Sequence, residues 1–185
     1  MHADISSLIL LRHGFAKIPA DRCIGQLDVS LTNRGREAIN QLAKNWPTPY
    51  PERIYCSDLR RTAETAGILA DQMSLPVIYD YRLREISFGD WEGRSWEEIY
   101  RHDPHLMEQW GSDWLNSPPP RGENVVQLHS RVREFYEELL LLPQMPTLII
   151  AHAGSLRALA CLLHGRPLDS LFDSHFCHGA PISMV

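Results

Sequence analysis

The chain has 185 residues, 44% of them hydrophobic and 22% charged, with a formal net charge of -5. That length suits one domain with a sizeable core. The charge argues against a general binder of nucleic acid or anionic membranes but leaves room for a local cationic pocket, and no apolar stretch is long enough to cross a bilayer.

The start, Met1-His2-Ala3-Asp4, lacks the basic and apolar regions of a signal peptide, so the cytoplasm is the expected compartment. The cysteines, Cys23, Cys56, Cys161 and Cys177, are scattered, and no disulfide framework is suggested. Cys56 and Cys161 lie in apolar segments and read as small core residues.

The first element is Leu8-Ile9-Leu10-Leu11, a short continuous apolar run that reads as a strand buried on both faces. It delivers Arg12-His13-Gly14 to the top of a sheet. An arginine can fork onto an oxyanion, an imidazole can act as nucleophile or base near neutral pH, and a glycine admits a substrate close to the backbone. Taken alone, the triplet reads equally well as a strand-to-loop turn with an exposed histidine. Phe15 to Leu31 has no helical or strand period, and a connection of that length is commonly functional.

Thr32 reads as the N-cap of a helix with Ile39, Leu42, Ala43 and Trp46 on one stripe and Pro47 as its stop. Ile54-Tyr55-Cys56 reads as a second strand. Ser57 or Asp58 then caps a helix running to about Met73, with Leu59, Ala63, Ala66, Leu69 and Ala70 inward. Pro76-Val77-Ile78-Tyr79 is a third short strand. Arg82 to Gly93 breaks the pattern and reads as a packed, shaped loop, and Trp96 to Tyr100 resumes as a short helix.

Residues at about 94–122, with Trp110, Trp114 and Pro118-Pro119-Pro120, form an insertion too small for its own core. Val125, Leu128, Val132, Phe135, Leu139 and Leu142 space out as a long amphipathic helix, on which His129 is a surface residue. Thr147 to Ala151 is the clearest buried strand and ends in His152-Ala153-Gly154-Ser155. Ser155 to Leu163 forms a helix ended by Gly165, and Pro181 to Val185 is a last strand. Strands alternate with helices. The expected fold is therefore α/β: three layers, a mostly parallel central sheet and helices on both faces, in a single domain over 1–185.

In an open parallel sheet the ligand crevice lies beyond the carboxyl ends of the strands. His13 and His152 end the two strongest strands. Arg60 and Arg61 stand at a helix start, where the helix terminus already favours anions. Arg12, His13, one of Arg60 or Arg61, and His152 thus point toward one crevice.

At these residues the chain resembles the histidine phosphatase superfamily, also called phosphoglycerate mutase-like. The resemblance covers nearly the whole chain. It rests on Arg12-His13-Gly14; Leu31-Thr32 with Gly35; Ser57-x-Leu59-x-Arg61-Thr62-x-x-Thr65-Ala66; Leu83-x-Glu85 through Phe88-Gly89-x-Trp91-Glu92-Gly93; Gly122-Glu123; and Ala151-His152-Ala153-Gly154. Each motif alone is weak; their order is specific. The resemblance implies that His13 is the nucleophile and becomes phosphorylated. It implies that Arg12, Arg61 and His152 bind the phosphoryl group and that Glu85 is the proton donor to the leaving group. The chemistry is sound on its own terms. Cationic donors stabilise a phosphoryl transition state, covalent catalysis splits one displacement into two, and an imidazole attacks when its other nitrogen is held by a hydrogen bond.

Alternatives stay open. Asp90 or Glu92 can replace Glu85 as the acid, although Glu92 reads better as a brace around Trp91. The motif spacing selects Arg61 and leaves Arg60 on the surface. No cofactor or metal is implied: His102 and His105 lack a third ligand, and Cys161, His164, His175, Cys177 and His178 have no metal-site spacing. The chain departs from its family after Gly14, where an acid, a Thr and an Asn are replaced by Phe15, Ala16 and Pro19. Lys17 or Arg22 is the candidate replacement donor.

The run from Phe88 to Ile99 is similar to the α-ribazole phosphatases of cobalamin assembly. Ile86-Ser87-Phe88-Gly89 after Glu85 lacks the basic, tyrosine-containing motif of the mutases, so water is the expected acceptor. The implied partner is a small-molecule phosphate monoester, with no nucleic acid and no membrane; no motif fixes the oligomeric state. A phosphoglycerate mutase or sugar-phosphate phosphatase is the alternative. A weakly catalytic phospho-ligand-binding module is the alternative of another class, though a binder needs neither His13 nor Glu85. Trp110 and Trp114 either form a lid over an aromatic leaving group or anchor the insertion to the core.

Overall fold

The computed structural model describes residues 8–47 and 49–184. The Met1-His2-Ala3-Asp4 reading and the proposed strand residue Val185 lie outside the described residues.

Strand β1 (Leu8–Arg12) is buried until its last residue. It pairs in parallel with β4 (Thr147–Ala151), with Leu10 opposite Ile149 and Arg12 opposite Ala151. Strand β2 (Arg53–Cys56) lies parallel between β4 and β3 (Val77–Tyr79). Strand β5 (Pro181–Met184) closes the other edge antiparallel to β1, giving the order β3-β2-β4-β1-β5.

Alternation along β1 explains the layers. Leu8 and Leu10 face one core with Ile149, Ala151 and helices α5 (Val125–Leu140) and α6 (Ala153–His164). Ile9 and Leu11 face the other core with Ile150, Ile54 and helices α1 (Asn33–Lys44) and α2 (Arg60–Met73). The expected mostly parallel sheet covered by helices on both faces is therefore what the chain forms. Among the described residues no helix is long and apolar enough to cross a membrane.

Several local expectations change. Thr32 caps α1 by accepting from Gly35 N, but the helix ends at Lys44, so Trp46 and Pro47 lie beyond it. Neither Ser57 nor Asp58 is the N-cap of α2. Leu59 is, without a side-chain bond. The carboxylate of Asp28, from the long loop, accepts from Arg60 N at 2.6 Å instead. Asp58 is drawn away by Arg84, which bonds both its oxygens at 2.7 and 2.5 Å. Helix α6 begins two residues before Ser155, and Gly165 ends it in the left-handed conformation at φ 60°.

The short helix α3 (Trp96–His102) is followed by α4 (Pro104–Ser112), which the composition of that segment did not announce. No residue of α4 is buried. Its Trp110 nevertheless stacks on Trp96, with ring centroids 6.0 Å apart and planes 19° apart. Together with Cys23, Trp91 and Ile99 these rings make a small third apolar cluster. His129 is half-buried rather than on the surface, and burial lowers its pKa.

Candidate active site

The sheet delivers its side chains where parallel strands end. Arg12 and His13 follow β1, His152 follows β4, and Arg61 enters from the first turn of α2 after β2. The end of β1 is fixed on both sides: His13 N donates to Ala151 O at 3.2 Å, and Gly14 N donates to Thr65 Oγ1 at 3.1 Å. Thr65 thereby anchors the Gly14 end of the Arg12-His13-Gly14 turn.

His13 is 3% exposed. Its Nδ1 donates to Gly14 O at 2.8 Å. A carbonyl can only accept, so the proton is on Nδ1 and the lone pair on Nε2. Burial, with Arg61, His178 and Arg12 nearby, holds its pKa well below 6.5 despite the Gly14 bond. The ring is thus neutral at neutral pH.

Arg61 is 2% exposed, and its donors are largely committed. Nε donates to His152 Nδ1 at 3.1 Å, Nη1 to Leu27 O at 2.7 Å, and Nη2 to Gly25 O at 2.8 Å. It therefore holds the long loop against the sheet and keeps one N–H on each terminal nitrogen for a ligand. His152 is fully buried, and its Nε2 donates to Ser57 Oγ at 2.9 Å. Nδ1 accepts from Arg61 and Nε2 donates to Ser57, so His152 orients Arg61; it does not line the cavity, and its ring lies beside that of His13, centroids 5.2 Å apart.

Arg12 donates from Nη1 to Phe176 O at 3.2 Å, while its buried Nε has no acceptor in the protein. Burial lowers its pKa and Glu85 raises it; the same two influences act, in the same order, on Arg61. Arg12 lines the cavity, and a guanidinium there with donors left uncommitted is suited to an anion's oxygen.

Glu85 lies at the N-terminus of α6. Its Oε1 accepts from Ile86 N at 2.9 Å and from Gly154 N at 3.0 Å. A Cβ on Gly154 would collide with Oε1, which is why glycine stands there. Among the described residues Glu85 is the one carboxylate in the cavity wall. Glu92 instead accepts from Gln26 N and Phe88 N, both at 2.9 Å, and braces its loop as expected. Asp90 pairs with Arg121 on the surface. Arg60 is exposed and paired with Glu64.

Above His13 opens a cavity of about 530 Å³. Arg12, Arg61 and Glu85 form its polar floor, and its walls are mainly apolar, with Phe88, Trp96, Trp110, Trp114 and Phe172. Both tryptophans of the insertion therefore line it while also being anchored: Trp110 on Trp96, and Trp114 edge-on to Phe172 at 5.0 Å. Neither Lys17 nor Arg22 lines it. Arg22 turns away to Gly93 O at 2.5 Å. Among the described residues no group of three or more His, Cys, Asp or Glu side chains is arranged to hold a metal.

Residues 8–185 match the family model described as histidine phosphatase superfamily (branch 1). The chain belongs to the histidine phosphatase superfamily. It is 32% identical to phosphoserine phosphatase 1 of Hydrogenobacter thermophilus, over 96% of this chain and 85% of the relative. It is 34% identical to glucosyl-3-phosphoglycerate phosphatase of Mycolicibacterium vanbaalenii, over 90% and 77%. Among solved structures it superposes on the α-ribazole phosphatase from Shigella flexneri with a TM-score of 0.87 and 30% identity, covering 94% of this chain and 87% of that one. This histidine phosphatase is accordingly an enzyme, a phosphatase like its named relatives.

Three further side chains of this histidine phosphatase hold or line the site and escaped the sequence reading. Arg131 donates to the carbonyls of Arg82, Arg84 and Glu85 and binds both oxygens of Glu123, so it carries the loop that presents Glu85. The Gly122-Glu123 motif is one half of that clamp, and an acid without a partner was the available signal. Arg157 lines the cavity three residues after Gly154 on α6, a helical spacing that puts both on one face. His178 donates from Nδ1 to His13 O at 3.0 Å, and nothing in its sequence context announced that.

Proposed function

We propose that the chain hydrolyses phosphate monoesters through a phosphohistidine formed on His13. The observation that carries this reading is the Nδ1 to Gly14 O hydrogen bond, which leaves the Nε2 lone pair on a cavity-lining imidazole held neutral. Nε2 attacks phosphorus, and the bond to the leaving oxygen breaks as Glu85, acting as general acid, passes a proton to that oxygen. Water then attacks the phosphorus, Glu85 takes its proton, and the N–P bond breaks to release inorganic phosphate. Arg12 and Arg61 stabilise the charge on the equatorial oxygens, a role that a metal ion plays in other phosphoryl-transfer enzymes. We read residues 1–185 as one catalytic domain whose 94–122 insertion roofs the leaving group.

For the substrate we propose α-ribazole 5′-phosphate or its corrinoid-attached form. The aromatic walls suit a flat, weakly polar leaving group, and the Phe88 to Ile99 run is similar to that subfamily. Arg157 favours a second reading. Its Nε donates to Ser174 O at 3.0 Å and its guanidinium lies over Phe172 at 5.1 Å, which leaves terminal N–H groups in the cavity wall for a carboxylate or sugar hydroxyl. The test is a panel of α-ribazole 5′-phosphate, phosphoserine, glucosyl-3-phosphoglycerate and 3-phosphoglycerate, compared by kcat/KM with chelator present. The highest value for α-ribazole 5′-phosphate supports the first reading, and for a carboxylate ester the second. Conversion of 3-phosphoglycerate to 2-phosphoglycerate without net hydrolysis would replace both with a mutase. His13→Ala is expected to abolish turnover.

A further inference from the structure

Phe15 stands where the chain leaves its family's pattern, and its ring packs on His178 with centroids 5.2 Å apart. The guanidinium of Arg34 lies over the Phe15 ring at 5.1 Å. His178 packs in turn against His13, centroids 5.0 Å apart and planes 55° apart. Its Nδ1 donates to His13 O at 3.0 Å. The same segment grips the residue before: Gly179 N donates to Arg12 O at 3.0 Å, and Phe176 O accepts from Arg12 Nη1 at 3.2 Å. The nucleophile's turn is thus clasped from the far end of the sequence.

We infer that His178 is a positioning residue for His13, braced by Phe15. The inference rests on His13 being the nucleophile. The Nδ1 to Gly14 O bond of His13 forms only if the imidazole and the Gly14–Phe15 peptide, whose orientation follows from the His13–Gly14 peptide before it, keep one mutual orientation. His178 acts on both sides of this bond: its N–H pins the oxygen of the His13–Gly14 peptide that leads into the Gly14 carbonyl, and its ring packs against the His13 ring. A neutral ring is required there, because positive charge develops on His13 as it attacks phosphorus. Arg12, Arg61 and His13 are the charged or titratable groups near His178, while Phe15 presents only an apolar face; burial and the two arginines keep His178 unprotonated. In this chain the replacement at position 15 supplies that support.

Rapid-quench measurement of phosphohistidine, with p-nitrophenyl phosphate as the phosphoryl donor, tests the role on wild type, His178→Phe and His178→Asn. Phe keeps a ring and loses the donor; Asn restores an N–H near the Nδ1 position. His178→Phe is expected to slow phosphoenzyme formation about tenfold, the effect of one lost hydrogen bond. The inhibition constant for inorganic phosphate is expected to stay at the wild-type value, and His178→Asn to recover the rate. An equally fast His178→Phe enzyme overturns the inference, as does a loss of phosphate affinity in proportion to the loss of rate. A wild type that never labels removes the nucleophile reading itself, whereas a labelled wild type beside a fully active His178→Phe removes only the role of His178. Nitrogen NMR of the wild-type histidines needs no variant: His178 is expected as the Nδ1–H tautomer, and a ring titrating at the free-histidine value counts against it.

Discussion

The main-chain N–H of Gly154 donates to the carboxylate of Glu85, at 3.0 Å to Oε1 and 3.3 Å to Oε2. The carboxylate that we propose as the acid is therefore held directly by the first turn of the helix that follows β4. No side chain fits between them, since a Cβ at position 154 would overlap Oε1.

Gly154→Ala is accordingly expected to displace Glu85 while leaving His13 and the arginines in place. General acid catalysis contributes about 10² to 10⁴ in rate, so kcat for an alkyl phosphate should fall by about 10². p-Nitrophenyl phosphate, whose leaving group departs without protonation, should lose far less. Equal losses on the two esters would separate Glu85 from leaving-group protonation.

His152→Ala removes the acceptor for Arg61 Nε and the donor to Ser57. We expect the phosphate inhibition constant and KM to rise together by about tenfold, with about 1–3 kcal/mol lost in stability from the unpaired buried groups. A variant with wild-type phosphate affinity would show that Arg61 keeps its aim without the imidazole.

Acid should destabilise the fold through His13 and His152. Burial is the largest cause of the lowered pKa of each, which lies well below the ordinary 6.5. The unfolded chain then binds protons that the folded chain refuses, so stability is retained above 6.5 and lost as the pH falls through that value toward the folded ones. Calorimetry should find Tm falling between neutral and mildly acidic pH, and His152→Gln should flatten the slope. A Tm independent of pH across that window would contradict neutral buried rings.

Trp110→Ala opens the stacked wall formed with Trp96. KM for an aromatic leaving group should rise about five- to tenfold, in keeping with about 0.5–1.5 kcal/mol per aromatic pair beyond buried area. Inhibition by inorganic phosphate, which reaches only the floor, should not change. Arg157→Ala should instead raise KM for carboxylate-bearing esters alone, and the pair of variants separates the two substrate readings.

The strands and long helices were legible because Leu8 to Leu11, Thr147 to Ala151 and the Val125 to Leu139 stripe carry strong periodicity. Arg12, His13, Arg61 and Glu85 were legible because each sits in a motif, and the structure brings all four to one cavity. What was not legible depends on distant pairing. Asp28 replaces Asp58 at the start of α2 because Arg84 captures Asp58, an exchange between three separate segments. Arg131 and His178 act on main-chain carbonyls of Glu85 and His13, and a carbonyl leaves no mark in a sequence. Helix α4 lacks buried residues, so it has no apolar stripe to read.

Strand β1 pairs with β4 and β5, and Arg12 and His13 are clasped by residues 176–179. These partners lie more than a hundred positions downstream of the strand they hold. During synthesis the strand that leads to His13 is made long before its sheet partners, and it has no strand to pair with until β4 and then the clasp leave the ribosome. The enzyme consequently matures all at once: a nascent chain arrested before β4 should show neither phosphohistidine nor phosphatase activity, however much of α1 and α2 it has already formed.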